Sequence, residues 1–488
     1  MMKLRLLLST ILLWLIPSVV GWAQTFDTMV STMTQQSLPL VNLEFDTTML
    51  NFQSFITGKI TIAEHDSDST IMSQYDCLVR MRGKTALFLP KKSFAVKLVD
   101  EYGEKLDANL LGLREENSWI LDAMGIDRLR MRNRVCFDIW EEYSHTMWDT
   151  SFGNRNGTVG TMVEVFVNGD YNGIYHLSDK INRQLLNLRK AKVNSDGTVT
   201  IKGVLYKGKN GLITNTLMEY EQASVDTTMW NSFELQYPED YPCQDAWQPL
   251  MDIIDFNGTT TDQYFAEHYN EWYYTSNLVD YWCLLVAFNI MDMPYKNTFL
   301  STPDINFGHQ YMLSPWDLDA SLGRDYNGKV ANYTAEFGRL NFYAPFNRLI
   351  AGNIDNFKGK IASRWAELTQ TALSPANLES HINAIAQRFV ESGAWQREYE
   401  RWQGTRVAIN ANINSEINYV KGWYGRNYNY ISTGMAFWRE DINAHTVTLM
   451  YNYLLGDDGT FYDFLDLNRD GAITATDITI AYNIMLNQ

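Results

Sequence analysis

The spacing of apolar residues changes part-way along the chain, and this change limits the available folds more than any other feature. Between residues 38 and 100, apolar and polar residues alternate in short segments, which is the period of half-buried strands. Asn168-Gly169 predicts a tight turn within a further hairpin. Helical spacing is predicted over 110–145, 245–290 and 345–420. The sequence therefore predicts an α+β protein whose first part is rich in strands and whose second part is helical.

Four acidic or amide residues follow the switch to helical spacing. Asp292 and Asn297 lie five positions apart, and Asp317 and Asp319 end an apolar, strand-like stretch. Phosphoryl transfer needs a carboxylate that receives the acceptor's proton, and oxygen ligands for the metal ions beside the phosphates. An acid and an amide at this spacing, with a later Asp at a strand end, are typical of kinase catalytic and metal-binding segments. The alternative is an ordinary turn, because Asp-Met-Pro is also a turn sequence.

Three longer motifs accompany these residues in a fixed order. They are Arg-Gly followed by Pro-Lys-Lys-Ser, then Asn-Gly-x-Tyr-x-Gly-x-Tyr, then Trp-Asp-Leu-Asp. In this combination the chain resembles the CotH kinase (spore coat protein H) family, and the resemblance covers about residues 38–410. The matching segments are 79–98, 128–140, 163–183, 233–240, 288–299, 314–324 and 346–350. The resemblance implies a two-lobed, divergent protein-kinase-like fold over residues 24–430.

The resemblance also assigns roles to the polar residues of the second part. Asp292 and Asp317 are the predicted catalytic residues. Asn297 and Asp317 are the predicted ligands of Mg²⁺ or Mn²⁺, with Asp319 as the alternative ligand, because oxygen donors suit these hard cations. The expected cofactors of this site are ATP and the metal ion.

Basic residues of the first part are the predicted nucleotide ligands. Phe-Ala-Val-Lys, which ends at Lys97, resembles the strand lysine that contacts nucleotide phosphates in kinases, whereas Lys92 belongs to the more characteristic Lys-Lys-Ser element. Both lysines stay open as candidates, and solvated strand lysines are the alternative. Arg82 is expected to meet a phosphate bidentately. Asp179 stands where the family carries Glu, and the resemblance implies that it orients the nucleotide-binding lysine.

The first 23 residues have the pattern of a secretory signal. Lys3 and Arg5 precede an apolar stretch, and Gly21-Trp22-Ala23 supplies small residues for cleavage. An uncleaved anchor is the alternative, but the apolar run is shorter than the roughly 18 residues of a comfortable span. We therefore expect a secreted, extracellular or cell-surface bacterial protein with no membrane span after cleavage.

Charge and cysteine usage exclude several functions. The formal net charge of −17 argues against a nucleic-acid partner, because binding phosphate backbones requires a basic surface. Cys77, Cys136, Cys243 and Cys283 are far apart in apolar surroundings and lack zinc-ligand spacing. They are predicted to be core residues, with room for one or two disulfides whose pairing the spacing does not define.

A calcium loop is predicted near the C-terminus. Oxygen-bearing side chains at Asp466, Asn468, Asp470 and Asp477 occupy positions 1, 3, 5 and 12, and the carbonyl of Ala472 occupies position 7. A glycine at position 6 supplies the sharp turn of such loops, and a chance acidic loop is the alternative. Ca²⁺ is therefore an expected cofactor.

An internal repeat defines a C-terminal module over residues 436–488. The helix predicted at 478–486 resembles 447–455, 31 positions earlier. This pairing resembles a type I dockerin, a small all-α calcium-binding module, and implies a cohesin-type protein partner. The first copy is expected to bind no calcium, because the positions aligned with the loop are Met435, Phe437, Arg439 and Thr446.

Three classes of function follow from these features. The first is an exported CotH-type kinase that transfers the ATP γ-phosphate to Ser or Thr of an extracellular or envelope protein. The second is a catalytically silent member that acts as a binding module. The third is an accessory component of a polysaccharide-degrading complex, although no paired-Glu signature of a glycosidase is evident. Presence of the lysine together with Asp292, Asn297 and Asp317 favours the first class.

Overall fold

The structure of the protein is a computed structural model that describes most of the chain. The described residues are 24–149, 154–209, 216–220, 224–294, 296–332, 334, 343–439, 444–457, 465–467 and 472–486. The predicted signal segment, residues 1–23, lies outside them. None of the helices in this part of the chain combines the length and apolar character that a membrane span requires.

Seven strands of the first part close into a barrel. They are β1 (Leu40–Phe45), β2 (Ile56–Asp66), β3 (Ser69–Arg82), β4 (Ser93–Val99), β5 (Ser118–Asp122), β6 (Gly160–Val167) and β7 (Asp170–Ser178). Their order is β1-β2-β3-β4-β5-β7-β6, and β6 closes the barrel by pairing parallel to β1. A short helix, α1 (Phe26–Ser31), packs Phe26 edge-on against Phe166 with ring centroids 5.5 Å apart. The predicted strands of 38–100 and the hairpin at Asn168-Gly169 are confirmed.

Alternation along β3, β4 and β5 sends apolar side chains inward and polar ones outward. Phe94 pairs with Met81 on one side and Leu121 on the other, and Phe94 and Leu121 belong to the barrel core. Successive residues of a strand face opposite sides, so the neighbours of this pair face outward. The outer face therefore carries Arg82 and Asp122 at one end.

The segment 110–145 differs from its helical prediction. Only α2 (Arg132–Glu141) is helical, and Ser118–Asp122 forms the barrel strand β5. Trp119 and Leu121 fill the barrel core while Ile120 packs on the opposite side. A strand buried on both faces shows a continuous apolar run, which periodicity alone does not distinguish from a helix.

The second part combines a small sheet with helices. Its antiparallel sheet has the order β11-β12-β10-β13-β14, and β8 pairs only with β9. The strands are β8 (Lys192–Val193), β9 (Val199–Thr200), β10 (Val204–Gly208), β11 (Met229–Trp230), β12 (Phe233–Tyr237), β13 (Thr298–Thr302) and β14 (Met312–Pro315). The helices are α3 (Gln244–Thr259), α4 (Asp262–Trp272), α5 (Thr275–Phe288), α6 (Phe346–Ala351), α7 (Phe357–Leu368), α8 (Pro375–Glu391), α9 (Ala394–Trp402) and α10 (Ile413–Arg439). The mixed α+β class is confirmed, whereas the kinase-like arrangement of two lobes stays a prediction.

The C-terminal repeat forms a helix pair with its own apolar core. Helices α11 (Ala444–Leu455) and α12 (Ala475–Leu486) form this core together with described residues between them. The core comprises Val447, Met450, Leu465, Ile473, Ile478 and Ala481. The predicted boundary between 430 and 436 falls inside α10, because Met435 is buried in the main core and Trp438 packs on Trp282. The separate core therefore begins only after this helix.

All four cysteines are free thiols, so the predicted room for disulfides is not used. Cys77, Cys136 and Cys283 are buried, which confirms their prediction as core residues, and Cys243 is half-buried. Burial raises the pKa of Cys77 and of Cys136 to about 12. Thiols with such raised pKa values are poor nucleophiles at neutral pH.

A buried ionic cluster joins α9 to the barrel and to the segment before α2. The Glu398 carboxylate accepts from Lys91 Nζ at 2.8 Å and from Arg130 Nε at 2.7 Å. Its other oxygen accepts the Ile174 backbone N–H at 2.8 Å, and all three charged side chains are fully buried. A buried charge without a partner is strongly destabilising, so both cations depend on the Glu398 carboxylate.

Replacing Glu398 is expected to weaken the whole fold. Glu398→Gln leaves two buried cations without a counter-charge, which should lower the free energy of unfolding by about 3–5 kcal/mol. Urea denaturation followed by fluorescence measures the change. The matched control is Asp76→Asn, which breaks the exposed Lys59–Asp76 pair and should cost less than about 1 kcal/mol. Equal losses in the two variants would contradict the importance of the buried cluster.

Candidate active site

Helix α5 leads directly into the loop that carries the first predicted site residues. The helix ends at Phe288, and the capping residue Asn289 adopts a left-handed conformation with φ of 46°. Asp292 accepts from the Asn297 side-chain amide at 3.3 Å and forms an ion pair with Lys296. Asn297 is nearly buried, also has a positive φ of 61°, and donates its backbone N–H to Gly208 of β10 at 3.1 Å. The acid and the amide therefore lie side by side, as their spacing predicts.

The segment after β14 lies against this loop. The Met291 N–H donates to Ala320 O at 2.9 Å, and Leu322 N–H donates to Phe288 O at 2.8 Å. Asp317 is left-handed with φ of 60°, a conformation that Asp tolerates better than most residues do. These two backbone hydrogen bonds hold Asp292, Asp317 and Asp319 in one region.

The barrel contributes the opposite wall of the site. Asp122, at the end of β5, accepts from Ser93 Oγ and from the Met124 N–H, both at 3.1 Å. Asn133, in the first turn of α2, accepts the Leu318 N–H at 3.0 Å and so ties the barrel side to the Asp317 segment. A cavity of about 20 Å³ lies between the walls and is lined by Arg82, Ile120, Asp122, Asn133, Phe137, Thr158, Ser178, Trp316 and Asp317. This volume suits a water molecule or a metal ion.

Crowded carboxylates dominate the electrostatics of the site. Protein atoms around the Asp317 carboxylate displace solvent, and this desolvation raises its pKa although the residue opens onto the cleft. The nearby charge of Asp122 raises the pKa further. Arg82 and Lys207 oppose this rise. Burial and the charge of Asp317 raise the pKa of Asp319 well above its usual range. Like charges held this close favour either a proton or a metal ion between them.

Two cations lie beside the acids without an ion pair. The Arg82 guanidinium carbon is 5.7 Å from the Trp316 ring centroid, and Lys207 Nζ is 4.7 Å from the same centroid. Burial, together with the charge of Arg82, lowers the pKa of Lys207 to about 7. Among the residues with described positions, neither cation makes a salt bridge. This combination of cations and acids suits a phosphate group bound with a metal ion.

The other predicted nucleotide ligands are placed differently. Lys92 Nζ donates to Leu87 O at 2.7 Å, and Lys97 Nζ lies 4.9 Å from the Phe55 ring centroid. Asp179 accepts from Arg114 Nε at 2.6 Å and from the Val159 N–H at 3.0 Å, so each of its oxygens has a partner other than the two lysines. Of the predicted set, only Arg82 lines the cavity.

Three site residues were absent from the sequence prediction. Asp122 and Asn133 contribute from β5 and α2, and Lys207 contributes from β10. The one available signal was an acid at the end of an apolar stretch, since Ser-Trp-Ile-Leu-Asp resembles the pattern used to find Asp317. The helical prediction for 110–145 concealed it. Lys207 carries no comparable local signal.

The donor set fits a magnesium ion in chemistry but is not already gathered around one position. Asp292, Asn297, Asp317 and Asp319 supply oxygens, which Mg²⁺ prefers, and magnesium commonly takes only one or two protein carboxylates. Within the described ranges, no three His, Cys, Asp or Glu side chains lie close enough together to hold a metal. Phosphate oxygens and water would complete the coordination.

The predicted calcium loop is described in part. Asn468 and Asp470 lie outside the described residues, whereas Asp466, Ala472 and Asp477 lie within them. Asp477 is buried and accepts the backbone N–H groups of Leu467 and Thr474, each at 2.8 Å. Thr474 in turn accepts the Thr476 N–H at 3.1 Å. Asp477 therefore takes part in capping α12, which is a sufficient structural reason for an acid at this position.

The described residues form an α+β fold whose cleft brings acidic and basic side chains together. A family model described as CotH kinase protein matches residues 79–431, more than half of the chain, and the chain therefore belongs to this family. The family indicates an atypical protein kinase that uses ATP with a divalent metal ion and acts on a protein substrate. No curated protein matches the chain.

The carboxylate cluster predicts opposite effects of mutation on stability and on metal response. Asp319→Asn removes one of several crowded negative charges, so the metal-free variant should melt at a higher temperature than wild type. Mg²⁺ or Mn²⁺ should raise the melting temperature of wild type by several degrees and that of the variant by less. Differential scanning fluorimetry measures both effects, with Asp76→Asn as the control. An unchanged metal response in Asp319→Asn would remove this residue from the metal site.

Proposed function

We propose that the protein is an exported atypical kinase that transfers the γ-phosphate of ATP to Ser or Thr of an extracellular or envelope protein. The observation that carries this proposal is the convergence of Asp292, Asn297 and Asp317 with Arg82 and Lys207 in one cleft. Structural ion pairs explain most charged clusters, but these two cations have no such pair within the described structure. Phosphates would supply the missing negative charge.

Each side chain has a separate task in the proposed reaction. Asp292 would orient the acceptor hydroxyl and receive its proton, and its contacts with Lys296 and Asn297 hold the carboxylate in place. Asn297, Asp317 and Asp319 would hold the metal ion, which neutralises phosphate charge when bound. Arg82 and Lys207 would contact phosphate oxygens, and this assignment favours Lys207 over Lys92 and Lys97.

Removing the two key acids is expected to separate binding from turnover. Asp317→Ala should abolish metal-dependent ATP binding, because the phosphates lose their bridge to the protein. Asp292→Ala should leave ATP affinity within a few-fold but lower the phosphorylation rate by several orders of magnitude. Calorimetry with Mg²⁺-ATP measures affinity, and labelled ATP measures autophosphorylation. Asp76→Asn, on the barrel surface, is the matched control. Wild-type affinity and activity in both active-site variants would exclude the assignment.

A catalytically silent binding module is the second candidate. The observation that favours it is the absence, among described residues, of three metal-ligating side chains already close together. The silent alternative predicts that Mg²⁺-ATP causes no heat of binding and no incorporation of label by the wild-type chain. The same pair of measurements therefore decides between the two candidates.

We also propose that α11 and α12 form a partner-binding tail of the dockerin type. Equivalent positions of the two helices expose the same residue types: Tyr451 and Tyr482 are 44% and 45% exposed, and Leu455 and Leu486 are 73% and 82% exposed. Large apolar side chains at matched exposed positions are typical of a surface that a protein covers. A cohesin-type domain of an extracellular complex is the proposed partner, which would suit export through the N-terminal signal.

Calcium is proposed at one site within 466–477. Carboxylates brought together without a cation repel each other, so Ca²⁺ should order and stabilise α12. No second ion is expected at the first repeat, because Met435, Phe437 and Arg439 lie within helix α10 in the described part of this segment.

Calorimetry of the full chain with Ca²⁺ should therefore show one ion bound. Asp466→Asn should weaken this binding strongly, since a calcium ligand loses its charge while the α12 cap at Asp477 stays intact. A deletion of 444–488, which leaves α10 complete, should abolish calcium binding and release the protein from its complex without changing ATP affinity. Two bound ions, or no ion, would contradict the single-site prediction.

A further inference from the structure

The outer face of the barrel carries more positive charge than one phosphate group requires. Arg80 and Arg82 alternate along β3, and Lys97 follows the same alternation on β4. Ser93 pairs with Arg82, and Ala95 pairs with Arg80. Lys97 lies two positions after Ala95 and so faces the same side. All three cations therefore share the face that looks onto the cleft. Lys180 follows β7, and its pKa is lowered by burial and by the charges of Lys97 and Arg82.

Among the described residues these four cations form no salt bridge, although the chain is acidic. The protein has 57 Asp and Glu against 40 Lys and Arg, so acids are not scarce. The fully buried cations Lys91 and Arg130 are paired with Glu398. Arg80, Arg82 and Lys180 are half-buried, and Lys97 is exposed. Within the residues that the structure describes, no salt bridge involves Arg80, Arg82, Lys97 or Lys180. Glu234 and Glu239 partly offset the charge near Lys180, but Glu234 already pairs with Lys209 at 2.8 Å.

The cations are spread along the cleft rather than gathered at its acidic end. Ser93 contacts Asp122 at that end, and Lys97 lies four residues further along β4, about 13 Å away in an extended strand. Arg80 and Lys97 meet over one ring, since their charged groups are 4.7 and 4.9 Å from the Phe55 centroid. The buried Nε of Arg80 has no hydrogen-bond partner. A buried donor without a partner favours a ligand that supplies an acceptor.

We propose that this row of cations binds a linear chain of linked phosphates longer than a triphosphate. The near end of the chain lies at Arg82 and Lys207, and its far end lies at Arg80 and Lys97, with Lys180 beside the row. A phosphate chain carries negative charge at every repeat and so matches a continuous row, whereas a nucleoside triphosphate places its uncharged sugar and base at one end. The inference rests on the proposed function, because the terminal phosphate is the one transferred.

The transfer step keeps the same residues at the acidic end. The acceptor hydroxyl oxygen forms a bond to the terminal phosphorus, and the bond from that phosphorus to the bridging oxygen breaks. The shortened chain leaves with the electron pair, and the hydroxyl proton passes to Asp292. The cations at the far end contact only the part of the chain that leaves, so they act on affinity and on the preferred chain length.

Calorimetry on the full chain with Mg²⁺ tests the proposal with four probes: ATP, adenosine tetraphosphate, inorganic tripolyphosphate and inorganic polyphosphate. Polyphosphate should bind wild type about tenfold more tightly than tripolyphosphate. The Arg80→Met/Lys97→Met double variant should lose this gain and keep ATP affinity within about twofold. The matched control is Lys59→Met/Lys105→Met, which removes two exposed, ion-paired lysines outside this row. Inorganic polyphosphate has no nucleoside. Comparing its affinity with that of adenosine tetraphosphate shows whether the bound phosphate chain is part of a nucleotide.

Several results would overturn the proposal. Polyphosphate that binds no more tightly than tripolyphosphate, or an equal loss in the control variant, would show that the row recognises no chain. An equal loss of ATP affinity in the double variant would assign Arg80 and Lys97 to the nucleotide. Binding of a glutamate-rich peptide that the double variant loses would assign them to an acidic acceptor. Tight ATP binding with no polyphosphate binding sinks this inference alone, whereas no binding of any probe sinks the proposed function as well.

Discussion

The buried carboxylate of Glu398 is the interaction on which the rest of the structure depends. It connects three distant parts of the chain, because Lys91 precedes β4, Arg130 precedes α2 and Glu398 belongs to α9. Gly173 makes this approach possible: a Cβ there would lie 2.1 Å from the Glu398 carboxylate, and its φ of 112° suits glycine. This ionic cluster thus holds helix α9 to the barrel. Hydrophobic burial provides most of the stability around it.

The same cluster positions the candidate site indirectly, through the segment before α2. Arg130 also donates to the backbone oxygens of Met124 and Asp127, which orders the segment before α2. Asp127 then accepts the N–H groups of Met131 and Arg132 and so caps this helix. The first turn of α2 presents Asn133 to the backbone of the Asp317 segment. Side chains far from the cleft therefore set the distance between its two walls.

The family motifs divide between structure and chemistry once their contacts are known. Within Pro-Lys-Lys-Ser, the first lysine is buried against Glu398, and Tyr175 of the Asn-Gly motif donates to the backbone of Lys92 at 2.8 Å. These motifs hold the barrel to the helical part. Trp-Asp-Leu-Asp and the Asp292 loop instead supply the acids of the candidate site. Of the two cations beside these acids, Arg82 belongs to the Arg-Gly motif, whereas Lys207 belongs to none of the three motifs.

The sequence by itself determined the local features: the strand periodicity of the first part, the turn at Asn168-Gly169 and the acids of the Asp292 and Asp317 segments. Such features depend on neighbouring residues, which is why spacing alone indicates them. Only the tertiary structure decided which cations face those acids. Lys207, Arg82 and Asp122 lie on strands far apart in the chain, and they meet because strand register and barrel closure bring them together. Register depends on the packing of the whole sheet, and a shift of one residue would turn each of these side chains to the opposite face.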